Sequence, residues 1–257
     1  MAVLLHGDCL DVMKTLPDKS VDLFVCDLPY GCLSSTDQFR EWSDSAVMKG
    51  CPWDIKIDLD QFWTQVKRLC RDDHTPVLHF CTTKFGADLI NSNPSWFRYD
   101  LVWNKGKGVG FLNANKMPMR SHEMIYVFAK KGARYYRKDY EGEEYKKWVH
   151  KGGPHTTRVY KDHERPDAEG GDGTRCVLSV IDVMNTANKR DKHPTQKPDT
   201  LYDWLIERYS KEGDTVLDAT AGSFASVFAA QRLGRKGVGI EKAKEFYDKA
   251  VAKAAES

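Results

Sequence analysis

Residues 27–30 read Asp-Leu-Pro-Tyr and end the apolar run Val21-Asp22-Leu23-Phe24-Val25-Cys26. A strand that stops at an acid, a proline and an aromatic sets a carboxylate, an unpaired carbonyl and a ring at one sheet edge. Together these groups can hold the exocyclic amino group of a flat base. The Asp27 carboxylate and the main chain around Leu28 and Pro29 accept its N–H bonds, while Tyr30 stacks on the ring. Such an amine is a weak nucleophile because its lone pair is delocalised into the heterocycle, so acceptors that draw it toward sp3 geometry have chemical value. The same four residues also suit a strand that runs into a proline turn with a half-buried tyrosine.

A second cluster lies near the C-terminus. Residues 216–223, Val-Leu-Asp-Ala-Thr-Ala-Gly-Ser, read as a short strand, the acid Asp218 and a small-residue turn before a helical run over 224–233. In that turn Ala221, Gly222 and Ser223 leave room for a ligand to approach the backbone, and the helix N-terminus offers N–H groups to an anion. Glu241 follows about 20 residues later at a strand end, where an acid can bond ribose hydroxyls. It equally suits the first turn of a helix over 244–254. In His193-Pro194-Thr195-Gln196-Lys197-Pro198 two prolines fix the backbone and project Thr195, Gln196 and Lys197, either as a clasp for a small ligand or as a plain helix start. Residues 101–120 contain Lys105, Lys107, Lys116 and Arg120, three glycines, Phe111 and no acid. That composition predicts a mobile basic loop for phosphate contacts, with a solvated surface loop as the alternative. His122 and Glu123 read as structural.

The elements that must position these groups alternate. Strands are predicted over 3–5, 21–26, 77–82, 98–104, 123–129, 215–218 and 237–241, with helices over 9–16, 58–71, 198–210, 224–233 and 244–254 and another ending at 90. Alternation of this kind implies a doubly wound, mostly parallel α/β sheet, which binds ligands beyond the carboxyl ends of its strands. Asp27, Asp218 and Glu241 all fall at such ends, which predicts one shared cleft. Residues 31–57 read as a long loop over it. The interval 131–189 is rich in glycine and interleaves bases with aromatics. Arg137, Lys138, Lys146 and Lys147 are its candidate DNA contacts, while Glu141, Glu143 and Glu144 dilute its charge. It reads as an insert between a body formed by 1–130 and 190–257, or as a capping loop.

With 257 residues the chain can bury a large core, and its formal charge of +2 means that any basic patch must be local. Seven scattered cysteines without a Cys-x-x-Cys pair, and a start too short for a signal sequence, point to reduced thiols in a cytoplasm. No stretch suggests a membrane span, and the histidines show no metal-ligand spacing with the cysteines.

Asp27–Tyr30, His193–Pro198 and the Asp218–Ser223 turn together resemble the S-adenosylmethionine (SAM)-dependent amino-group DNA methyltransferases, in the motif order of their beta class. Gly7-Asp8-Cys9-Leu10, Trp103-Asn104-Lys105, Arg120-Ser121-His122-Glu123 and Gly239-Ile240-Glu241 also match family positions. The resemblance covers roughly residues 5–130 and 190–250. It implies a Rossmann-like methyltransferase fold whose insert recognises the target in double-stranded DNA. Asp27 through Tyr30 would be catalytic, and Asp8, Cys9, Asp27, Thr195, Lys197, Asp218, Ala221, Gly222, Ser223, Phe224 and Glu241 would hold SAM. Adenine N6 is the implied target, because the cytosine-N4 members more often carry Ser where Asp27 stands. Dimers are frequent in the class, and some members accompany a restriction endonuclease. The chain departs from the pattern where Phe224 replaces a glycine and Ala219-Thr220 replaces Pro-Phe. Phe224 could cover the cofactor, pack under the helix or block the pocket, and the last case would leave a DNA-binding relative without activity. A methyltransferase acting on RNA or on a protein amide is the other alternative.

Overall fold

A computed structural model describes residues 1–30, 56–144, 146–155, 163–170, 173–184 and 196–255. Most of the predicted loop over 31–57 therefore lies outside the described residues. The larger of two compact units comprises Met1–Tyr136 and Ser179–Ser257. Its strands are β1 (Ala2–His6), β2 (Leu23–Cys26), β3 (Val77–Cys81), β4 (Phe97–Val109) and β5 (Arg120–Phe128). In the smaller unit, Arg137–Leu178, β6 (Tyr140–Glu141), β7 (Trp148–His150), β8 (Gly153–His155), β9 (His163–Arg165), β10 (Ala168–Gly170) and β11 (Thr174–Arg175) pair as three two-stranded ribbons. β12 (Val180–Asp182), β13 (Thr215–Asp218) and β14 (Lys236–Glu241) return to the larger unit.

The main sheet has the order β1-β14-β13-β2-β3-β5-β4-β12. Every neighbouring pair is parallel except the two that β5 makes with β3 and β4. Strand periodicity sorts the core. Phe24 and Cys26 face the side covered by α1 (Cys9–Thr15), α2 (Leu59–Leu69) and α3 (Thr83–Ser92). Leu23 and Val25 face α4 (Asp199–Tyr209) and α5 (Ala225–Arg232). Apolar residues on both faces are what a central parallel strand requires. The last helix, α6 (Lys244–Ala255), packs Ala250 and Tyr247 beside Phe224 and Val227.

Two expectations change. The insert is narrower than 131–189, because Val180–Asp182 pairs with Val102–Asn104 as the edge of the main sheet. Trp103 Nε1 donates to the Val183 carbonyl at 2.8 Å, and Asn104 Nδ2 donates to Asp182 at 2.7 Å, which secures that edge. The glycine-rich basic segment is not an irregular loop either. Lys105–Val109 continues β4 through a register shift between Asn104, opposite His122, and Val109, opposite Arg120, and a 3-10 turn over Phe111–Asn113 begins the return. Gly108 permits this, since a Cβ there would meet the Met119 side chain at 2.5 Å.

Candidate active site

β13 and β2 lie side by side, yet the chain leaves them in opposite directions, toward β14 and toward β3. Such a switch point opens a crevice beyond the strand ends. Four consecutive strands carry an acid there: Asp8 just after β1, Glu241 at the end of β14, Asp218 at the end of β13 and Asp27 just after β2. The sheet thus gathers the acids predicted to share one cleft.

Asp27 is held from two sides. Tyr30 donates its hydroxyl to Oδ1 at 2.6 Å, and Lys197 Nζ donates to Oδ2 at 2.7 Å. Leu28 is 1% exposed, so its side chain is spent on the core and only its main chain remains for the cleft. Pro29 is half-buried. The Tyr30 ring lies 5.0 Å from that of Phe85, and burial, with the Asp27 charge second, pushes its phenol well above the ordinary tyrosine range.

Glu123, expected to be structural, and Lys105, expected to meet phosphate, are ion-paired with each other. Lys105 is buried, with Nζ 3.1 Å from Glu123 Oε1 and 5.2 Å from the Trp103 ring centre. Glu123 Oε2 lies 3.5 Å from Lys197 Nζ, so Lys105, Glu123, Lys197 and Asp27 form one chain of alternating charge. Burial works against the charge on Glu123, but Lys197 and Lys105 outweigh it and hold the carboxyl below the usual glutamate range. Burial likewise opposes the Lys197 charge, and Asp27 and Glu123 outweigh it, raising that ammonium's pKa. The legible signal was Glu123's isolation, as the sole acid between residues 101 and 138.

The second turn leans on the first. Thr220 Oγ1 donates to the Asp27 carbonyl at 3.0 Å, a link that the family pattern did not suggest. Asp218 is 2% exposed and accepts from Ser226 Oγ at 2.5 Å and from the Thr220 N–H at 3.1 Å. Ala221 is buried and donates its N–H to the Ile240 carbonyl at 2.8 Å, docking the turn on β14. Gly222, in the left-handed region at φ 52°, donates its N–H to Glu241 Oε2 at 2.8 Å. Glu241 Oε1 accepts from the Ala243 N–H at 2.7 Å, so one side chain braces both the Gly222 turn and the start of α6. Ser223 is half-buried at the mouth of the turn.

Of the three placements open to Phe224, the structure takes the one under the helix. Its side chain is 0% exposed and packs under α5 against Tyr247 and over Gly239. Its backbone nevertheless keeps the glycine-like φ of 58°. Asp8 caps α1 through the Leu10 N–H at 3.0 Å and pairs with Lys242 at 3.0 Å. Cys9 is half-buried, and burial pushes its thiol up to about 12, which keeps it neutral. Thr195 lies outside the described residues, as do His193 and Pro194. Lys107, Lys116 and Arg120 are exposed along the β4–β5 hairpin. In the smaller unit Lys138, Lys146 and Lys147 are exposed, while Arg137 donates to Asp139 at 2.6 Å. Among the described residues no His, Cys, Asp or Glu cluster could hold a metal, and no helix is long and apolar enough to cross a membrane.

The model of the N6/N4 methyltransferase family, described as DNA methylase, matches residues 21–253. The chain is 24% identical to the type II methyltransferase M.HinfI of Haemophilus influenzae, over 95% of this chain and 66% of that protein's length. The crystal structure of the M1.HpyAVI–SAM complex superposes with a TM-score of 0.62 at 19% identity, covering 99% of each chain. The cytosine-N4-specific PvuII DNA methyltransferase gives 0.63 at 14% identity, over 96% of this chain and 84% of that one. At these identities the two structures show a shared fold.

Proposed function

This chain belongs to the N6/N4 DNA methylase family, and from that premise we propose that it transfers a methyl group from SAM to the N6 amino group of an adenine flipped out of double-stranded DNA. The observation that carries the reading is the Asp27 carboxylate, oriented by Tyr30 and Lys197 and tied through Thr220 to the Asp218–Ser223 turn. The donor set suits SAM. Glu241 and Asp8 would accept from its ribose and adenine, and the turn around Gly222 and Ser223 at the α5 N-terminus would hold its carboxylate. When bound, SAM supplies an electrophilic methyl on a sulfonium.

The protein's own residues do the rest. Flipping costs a few kcal/mol of lost pairing and stacking, which Tyr30, backed by the buried Phe85, offsets by stacking on the extruded base. Asp27 and the Leu28 carbonyl accept the two amino hydrogens and aim the nitrogen lone pair out of the ring plane. An ionised carboxylate has about four acceptor positions, so the bonds from Tyr30 and Lys197 leave Asp27 capacity for the substrate and for the proton released as the new N–C bond forms. Lys197, kept charged by its two acids, fixes which Asp27 oxygen faces the base. Positioning of this sort is the main lever for a reaction whose charge disperses as it proceeds. Adenine is favoured over cytosine by Asp27 itself, where cytosine-N4 members more often carry serine.

Nucleoside mass spectrometry of DNA from a methyltransferase-deficient host tests this directly. N6-methyladenine should appear with the protein and vanish with Asp27→Ala. N4-methylcytosine would keep the family and overturn the base, while unmodified DNA in the presence of folded protein would overturn the activity.

A further inference from the structure

The β4–β5 hairpin exposes more apolar surface than phosphate contact needs. Phe111 is 78% exposed, and Met117 and Met119 beside it are also open to solvent. Gly110, in the left-handed region at φ 87°, starts the 3-10 turn. The turn is closed by main-chain bonds from Asn113 N–H to the Gly110 carbonyl at 3.0 Å and from Ala114 N–H to the Phe111 carbonyl at 3.0 Å. The ring therefore projects from a hydrogen-bonded tip. Lys107, Lys116 and Arg120 flank it, and no acid occurs between residues 101 and 122.

At the hairpin's root, Lys105 joins Glu123, and through Lys197 that pair reaches Asp27. Asn104 lies opposite His122 and Val109 opposite Arg120, so Lys105–Val109 bulges against two positions of β5 and sets the tip roughly 7 Å beyond the root at about 3.4 Å per residue, with the Phe111 ring further out. An apolar tip on a basic arm rooted beside the catalytic acid is the geometry of a wedge that separates stacked bases. We propose that Phe111 enters the duplex beside the target and stabilises the gap left by the flipped base. A two-fold contact built on the same hairpin would bring its bases toward their own copies, so charge favours DNA over a second chain. The inference rests on the DNA-methyltransferase reading above.

The test uses single-turnover methyl transfer by wild type and Phe111→Ala on a duplex carrying the sequence methylated in cells. A second duplex lacks the base opposite the target, so that the target is already unpaired. Phe111→Ala should be about tenfold slower or worse on the paired duplex and close to wild type on the other, because an unpaired base costs less to extrude. Since the ring is exposed, its thermal melting should match wild type. Equal rates on the paired duplex, or equal losses on both duplexes, would overturn the wedge. So would a dimer in sedimentation that Phe111→Ala dissociates, which would give the hairpin to a second copy. Wild type that methylates neither DNA fails at the earlier reading, a result distinct from an active enzyme indifferent to Phe111.

Discussion

Asp218 ends β13 in the core, and burial lifts its carboxyl to about 7, with Ser226 and the Thr220 N–H offsetting only part of the cost. Its ordinary value is 3.8. Between those two values the unfolded chain releases this proton and the folded protein keeps it. The group's contribution is therefore fully favourable below about pH 4 and is lost as the pH rises through about 7, by at most about 4 kcal/mol. Asp218→Asn keeps an acceptor for Ser226 and cannot ionise. The stability of the variant relative to wild type should thus climb from pH 4 to 7 and then level off, as read from paired thermal melts across that range. Parallel curves would mean that Asp218 is ionised in the folded protein throughout. The Lys105–Glu123–Lys197–Asp27 chain behaves differently, because there each buried charge faces an opposite one. Deleting one member of such a set typically costs about 3–5 kcal/mol by leaving a charge uncompensated.

At the level of elements, Phe224 shows how a turn tolerates the wrong residue. A side chain at φ 58° costs about 1–2 kcal/mol where glycine would cost nothing. The ring compensates by filling the space over Gly239, where a Cβ would come within 2.7 Å of it. Truncation removes that packing, worth about 3–5 kcal/mol for a buried Phe. Both Phe224→Gly and Phe224→Ala should therefore melt below wild type. Phe224→Gly should be the more stable of the two by about 1 kcal/mol, the reverse of the usual order inside a helix. Denaturant unfolding of the pair checks this, and an Ala variant as stable as the Gly variant would refute the strain. The sequence carried Phe224 as a departure from pattern but not its direction, because Gly239, which makes room for the ring, lies on another element. The helices and the strand over 215–218 were legible because apolar periodicity and turn residues are local. The hairpin was misread because glycine at alternate positions signals flexibility locally, whereas Met119 packed over Gly108 is a cross-strand fact. The ion partners of Glu123 were illegible for a similar reason, since Lys197 lies on a distant segment of the chain.

Across the whole molecule charge is nearly balanced, at +2 formal, so attraction to DNA has to come from where the bases are placed and not from how many there are. The structure divides the predicted contacts. Lys105 is turned inward onto Glu123 and Arg137 is engaged by Asp139, while Lys107 and Arg120 are exposed along the hairpin. Each phosphate neutralised on duplex DNA contributes about 0.9 to the slope of log K against log salt. Lys107→Ala and Arg120→Ala should each lower that slope by about 1 and weaken binding similarly on any sequence. Lys105→Ala should leave the slope unchanged, because its charge is already committed, and should act instead on the methylation rate through the loosened Glu123–Lys197–Asp27 chain. Fluorescence anisotropy of a labelled duplex titrated at several salt concentrations separates the two classes. A Lys105→Ala slope that falls with the others would place that ammonium on a phosphate in the complex, and the hairpin root would then have to open when DNA binds.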